Sequence, residues 1–247
     1  MEKKLTEFRT DYFLSAADCN AQQEISLPLL VQGLLDIATA HANALNVGYE
    51  RLLKDNNAWV LSRLSIELSH FPSVNKSYSL TTWVEDLNRH YSERIVEIRD
   101  ENNEVIGYGR LTWVAINITT RRPADLTPLL ENITPSQNRC PIERAPRMGA
   151  IGTPDRVSTY QFRYSDIDFN RHVNSTKYIQ LILDRWGLDH FDHNQVCRFD
   201  ISYHAEAHFG DVVEVRSKGD DEIQDIEIAR DGAVCTRARI KFTSRNK

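Results

Sequence analysis

The chain repeats itself, and that repeat limits its folds more than any other feature of the sequence. A strand, one long helix and about four strands are run through once, and after a Pro- and Gly-rich segment the same order returns. In the first copy residues 7–14 read as a strand, and Leu27, Leu30, Val31, Leu34, Leu35, Ile37 and Ala38 recur at helical spacing. Ser26 is placed to cap that helix, Pro28 to sit in its first turn and Gly48 to close it. Strands follow at 57–70, 77–86, 91–100 and 104–118. Residues 131–158 carry Pro135, Pro141, Pro146, Pro154, Gly149 and Gly152, which break any regular pattern and mark a linker. The second copy offers strands at 159–165, 197–204, 211–218, 222–230 and 233–243. A sheet with one helix covers only part of its surface, so two copies are expected to pair edge to edge, with a binding groove between them. The fold class is therefore α+β, with units at 1–130 and 159–247 joined by 131–158.

The second copy carries the more informative stretch, Tyr164 to Trp186. Asp168, Asn170 and His172 stand at alternate positions there, which reads as a polar extended segment. Tyr178, Ile179, Ile182, Leu183 and Trp186 then form one apolar helical stripe, with Asn174, Ser175 and Thr176 as helix-start residues. A carboxylate, a carboxamide and an imidazole thus reach the mouth of a helix whose first N–H groups are free. Water activation and oxyanion stabilisation need such groups. Asp and Asn before a helix also serve as turn and capping residues, and a His there also serves as a solvated loop residue. Spacing alone leaves both readings standing. The first copy holds a faded twin in which Asp18-Cys19-Asn20 matches Asp168-Phe169-Asn170 across a two-residue gap, with Gln22 where His172 stands.

Composition removes several classes. No apolar run is long enough for a membrane span, and the charged start MEKKLTEFRTDYF has no signal-peptide core. Cys19, Cys140, Cys197 and Cys235 are far apart, which argues against a zinc ribbon or disulfide framework and for reduced thiols in a cytoplasmic protein. A net charge of −5 is not a nucleic-acid signature. There is no GxGxxG, P-loop, HExxH or GxSxG, and no cofactor or metal site is expected.

The run Asp166-Ile167-Asp168-Phe169-Asn170-Arg171-His172-Val173-Asn174-Ser175-Thr176-Lys177-Tyr178 closely resembles the DxDxNxHVNxxxY signature of plant and bacterial acyl-acyl carrier protein thioesterases. WVLSRLSIEL at 59–68, TTWVED at 81–86 and LTWVAINITTRRPADLTP at 111–128 are similar to that family's first domain, so the likeness covers nearly the whole chain. The resemblance implies a tandem hot-dog fold, each unit a long helix wrapped by an antiparallel sheet. It also implies hydrolysis of acyl-acyl carrier protein thioesters, with the acyl chain held by the first unit and the chemistry in the second. Asp168, Asn170 and His172 match its catalytic DxNxH. Glu206, in Tyr203-His204-Ala205-Glu206-Ala207, matches a catalytic glutamate expected on a strand. Ala207 replaces the Cys of plant members, so no cysteine nucleophile stands there and water is the expected attacker.

Glu206 or His172 is then the expected general base, Asn170 a holder of the water or carbonyl, and Asp168 an orienting group. N–H groups at the start of the helix face the oxyanion in this reading. Arg121-Arg122 and Arg139, Arg144 and Arg147 are candidates for docking the carrier protein and its phosphopantetheine phosphate, or for a solvated face. His41 and His70 read as packing or capping residues, and Trp59, Trp83 and Trp113 as core residues or as lining for an acyl tunnel. An acyl-coenzyme A thioesterase, a hydratase on the same scaffold and a non-catalytic acyl-binding module are the competing readings. Chain length preference and homodimerisation stay open.

Overall fold

In the computed structural model, which describes residues 5–245, ten strands join into one sheet whose neighbours are all antiparallel. The opening residues 1–4 lie outside the described chain. The first copy supplies β1 (Glu7–Phe13), β2 (Asn57–Leu68), β3 (Ser77–Leu87), β4 (Tyr91–Arg99) and β5 (Val105–Asn117). The second supplies β6 (Arg156–Gln161), β7 (Asn194–Tyr203), β8 (Val212–Gly219), β9 (Ile223–Arg230) and β10 (Ala233–Ser244). Their order, β1-β3-β4-β5-β2-β7-β10-β9-β8-β6, is the same from either end once the copies are matched. The copies meet at β2 and β7, where Ser65 faces Asp200 at the centre of the pairs running from Arg63–Ser202 to Glu67–Arg198.

Helix α1 (Leu27–Ala44) lies across the first half of the sheet. The Ser26 hydroxyl accepts from Leu29 N, and Pro28 occupies the first turn at no cost in hydrogen bonds. Leu30, Val31, Leu34 and Ile37 are fully buried, each contributing about 1.5–3 kcal/mol. Gly109 on β5 admits this close approach, since a Cβ there would stand 2.7 Å from Leu34 Cδ1. The helix ends at Ala44; Gly48, expected to close it, instead precedes a second short helix, α2 (Tyr49–Leu53). His41 packs as expected: burial, with Arg94 beside it, pushes its imidazole down to about 4, and Arg94 Nη1 lies 2.7 Å from Nδ1.

Helix α3 (Ser175–Leu183) is shorter than the stripe suggests, and Trp186 falls beyond it to pack edge-on against Phe242. α4 (Leu188–His193), with a charged sequence and no apolar stripe, follows. α1 and α3 share one core, in which Leu30, Ile179, Phe199 and Ile226 belong to a single cluster spanning both copies. Strand bounds match the sequence reading within a few residues; β6 differs most, because it begins at Arg156 and ends at Gln161.

Residues 133–155 carry no helix or strand and cross the sheet face opposite α1. They are pinned by charge. Arg110 Nη1 lies 2.5 Å from Glu85 and 2.9 Å from Glu93, Arg144 reaches Glu93 at 2.5 Å, and Cys140 N donates to Glu85. Trp83, a core residue as expected, also donates to Asn138 O. Cavities of about 440 and 360 Å³ flank this strap, and neither is lined by Asp168, Asn170, His172 or Glu206. Among the described residues no helix is long and apolar enough to cross a membrane.

Candidate active site

The stretch from Ile167 to Val173 is a closed turn rather than the extended segment its alternation suggests. Ile167 and Val173 bridge, and Arg171 adopts a left-handed φ of 67° between them. Asp168 organises this turn: its Oδ1 accepts from Asn170 N at 2.8 Å and His172 N at 3.0 Å. Its own N–H donates to His172 O at 2.7 Å. Asp168 therefore fixes Asn170 and His172 through their backbones, a task that carboxylates and carboxamides perform better than hydroxyls and that apolar side chains cannot.

Two anchors set the turn against the protein. Asn174 N donates to Asp166 O, and Val173 N donates to Ala207 O. Asp166 is buried, and burial opposes its ionisation. The Arg163 N–H, Lys177 and Tyr160 nevertheless hold its carboxyl below the ordinary value of 3.8. Asn174 caps α3 by accepting from Thr176 N at 3.0 Å. That amide is thereby taken, which narrows the set of helix-start donors expected to face an oxyanion.

Glu206 lies in the loop after β7, not on a strand. Its Oε1 is 3.4 Å from His172 Nδ1, so the two residues meet although 34 positions separate them. Both are partly exposed, at 35% and 28% of their side chains. Asn170 is exposed, and only its backbone is fixed by the turn. The Ala207 side chain is fully buried and belongs to the core.

Two residues join the site without having been marked for it. Arg121, read above as a docking residue, crosses from the first copy to place Nη2 2.5 Å from the same Glu206 Oε1. His208 stacks edge-on against His172 at 5.2 Å. No local pattern marks either contact. Of the other docking candidates, Arg144 is committed to Glu93 and Arg139 to the Ser136 and Asn138 carbonyls.

The mouth of α1 repeats this turn bond for bond. Asn20 Oδ1 accepts from Gln22 N and Glu24 N, Asn20 N donates to Glu24 O, Cys19 bridges Ile25, and Gln23 has φ 61°. The structure therefore aligns Asn20 with Asp168, not with Asn170, and no gap is needed. Asn20 lies 16 residues before Asp36, as Asp168 lies 16 before Asp184. Gln22 then holds the place of Asn170 and Glu24 that of His172. Ile25 N donates to Pro72 O as Val173 N does to Ala207 O, which puts Phe71 in the place of Glu206.

A helix laid on each half of a continuous antiparallel sheet defines a tandem hot-dog protein. Family models describe the same two units: the acyl-ACP thioesterase N-terminal domain matches residues 5–133 and its C-terminal domain matches 152–244. The chain belongs to the acyl-ACP thioesterase family. A solved acyl-ACP thioesterase from Bacteroides thetaiotaomicron superposes with a TM-score of 0.90 at 31% identity, covering 96% of this chain and 98% of that one. The 12:0-ACP thioesterase from Umbellularia californica shares the fold, with a TM-score of 0.85 at 16% identity over 97% of this chain and 98% of that one. A chloroplastic palmitoyl-acyl carrier protein thioesterase of Arabidopsis thaliana is 24% identical across 96% of this chain. The chain spans 64% of that relative's length and 53% of a chloroplastic acyl-[acyl-carrier-protein] hydrolase from Cuphea viscosissima, to which it is 23% identical over 84% of its own length.

Proposed function

We propose that the protein is a thiolester hydrolase that cleaves acyl-acyl carrier protein to release free fatty acid during fatty acid synthesis. The observation that carries this reading is the His172–Glu206 pair, held at 3.4 Å at the only helix mouth of the two that unites these groups. Family membership and the likeness to the Bacteroides thioesterase support it. The residue boundaries 1–130, 131–158 and 159–247, with acyl binding in the first unit and chemistry in the second, belong to the same proposal.

The reaction adds water to the thioester carbonyl, breaks the C–S bond and returns a proton to the departing thiolate. His172 presents Nδ1 toward Glu206, which leaves Nε2 to take the proton from water, with Glu206 orienting the ring. The separation exceeds a formed hydrogen bond, as is common before substrate binds. Asn170 offers its amide to the water or the carbonyl, and Asp168 holds the turn that carries both. Charge developing on the carbonyl oxygen is met by N–H donors near the start of α3. With alanine at 207 and that side chain in the core, a sulfur nucleophile has no part in this scheme.

The test is free-acid release from acyl-carrier-protein thioesters of graded chain length, beside the matched acyl-coenzyme A esters. Release from the carrier-protein series, lost in His172→Ala and Glu206→Ala, is the expected result. Release from coenzyme A esters alone moves the protein to a neighbouring enzyme class. Tight acyl binding without release discards the hydrolase reading.

A further inference from the structure

We infer that Arg121, supplied by the first copy of the repeat, is a positioning residue for the Glu206 carboxylate of the second. This deepens the thioesterase reading and rests on it. Arg121 Nη2 and His172 Nδ1 converge on one atom, Glu206 Oε1, at 2.5 and 3.4 Å. The cation thereby fixes which carboxylate oxygen faces the imidazole.

Three observations favour this role over docking or stability. The pair is half exposed, with 48% and 35% of the side chains accessible, and exposed ion pairs contribute little to folding. Yet the loop that carries Arg121 is built with care. Arg121 N donates to Asn117 O, Asn117 N to Arg122 O, and Asn117 Oδ1 accepts from Thr120 N; Ile118 N donates to Asn56 O. These bonds hold Arg121 at φ 59°, a left-handed conformation unfavourable to its side chain. Second, the phosphate of a phosphopantetheine arm lies the full length of that arm from the thioester. A guanidinium in contact with Glu206 is therefore placed at the carbonyl, not at the phosphate. Third, the other mouth has the same crossed arrangement: Arg245, at the end of β10 in the second copy, reaches Glu24 in the first at 2.6 and 2.8 Å. Each copy lends the other an arginine. In one mouth it closes a bidentate pair; in the other it touches Glu206 through one nitrogen and leaves the second carboxylate oxygen open.

The experiment is a kinetic double-mutant cycle. R121Q, E206Q and the double variant are assayed on acyl-carrier protein and on an acyl-N-acetylcysteamine thioester, which has neither carrier nor phosphate. R121K and R122Q serve as companions, and thermal melts confirm folding. R121Q is expected to lower kcat by about 10- to 100-fold on both substrates with KM little changed, since the loss is one of orientation. R121K recovers part of the rate, R122Q keeps it on the N-acetylcysteamine thioester, where no carrier is docked, and R121Q adds less than about 2-fold in the E206Q background because the two groups act as a unit. A loss confined to KM for the carrier-bound substrate, or an additive loss in E206Q, overturns the inference and returns Arg121 to docking. A wild-type chain that releases acid from neither substrate overturns the thioesterase reading itself.

Discussion

The two helix mouths share one backbone, and four of the positions at which they differ decide their polar chemistry. Asn20, Gln22, Glu24 and Phe71 stand where Asp168, Asn170, His172 and Glu206 stand. In the first mouth Glu24 is tied to Arg245 through both oxygens, and Gln22 donates to Asp192 at 2.8 Å. Phe71 is buried and supplies no carboxylate in the place of Glu206. In the other mouth a carboxylate, an imidazole and a guanidinium meet while partly open to solvent. The turn is thus a scaffold that either closes a joint or holds polar groups partly open to solvent, and the difference lies in whether its polar atoms are already paired.

That contrast can be broken at its strongest point first. Glu206→Gln or His172→Ala is expected to reduce kcat by about 10²- to 10⁴-fold with little change in melting temperature. Glu24→Gln is expected to leave kcat within about 3-fold, as measured by acid release; equal losses at both mouths would erase the distinction. Stability should divide in the opposite direction. Arg245→Gln strands Glu24, whose side chain is only 14% exposed, and is expected to cost about 2–3 kcal/mol in a denaturant titration, whereas Glu206→Gln costs less than about 1.

A third effect is set by pH. Asp166 is held below its ordinary value in the folded protein, so its stabilisation is complete above pH 4 and is lost as pH falls through the lowered value. Asp166→Asn should cost about 1–3 kcal/mol at neutral pH and flatten the acid decline of the melting temperature. Its counterpart Asp18 is exposed and bonds to Ser15, so Asp18→Asn should change neither. The smallest difference is between the caps: Ser26→Ala and Asn174→Ala should each cost about 1 kcal/mol, which denaturant midpoints resolve.

The sequence carried most of the fold, because alternation along strands such as 57–68 and the stripe from Leu27 to Ala38 are local signals. It misjudged places where a tertiary partner decides. The alternation of Asp168, Asn170 and His172 comes from a bridge-closed turn, in which every second N–H points at one carboxylate. The same ambiguity displaced the repeat alignment by two residues, since Asn20 matches Asn170 in name but Asp168 in hydrogen bonds. His172 was marked by its spacing before the helix as well as by the family motif, whereas Glu206 was marked only through the motif. The contact of Arg121 with Glu206 was not foreseen, because it depends on how the two copies are set across β2 and β7.

The pinned strap has a consequence for chain connectivity. The halves are held together by the β2–β7 pairs, by one continuous core and by the Arg198–Glu67 ion pair, all of which persist without a peptide bond near residue 150. Gly149 and Gly152 are exposed, and a Cβ at either would meet nothing within 4 Å. The backbone could be opened there and new ends placed elsewhere, or the protein supplied as two fragments that find each other. The crossed arginines would then report reassembly, because neither fragment alone carries a complete mouth.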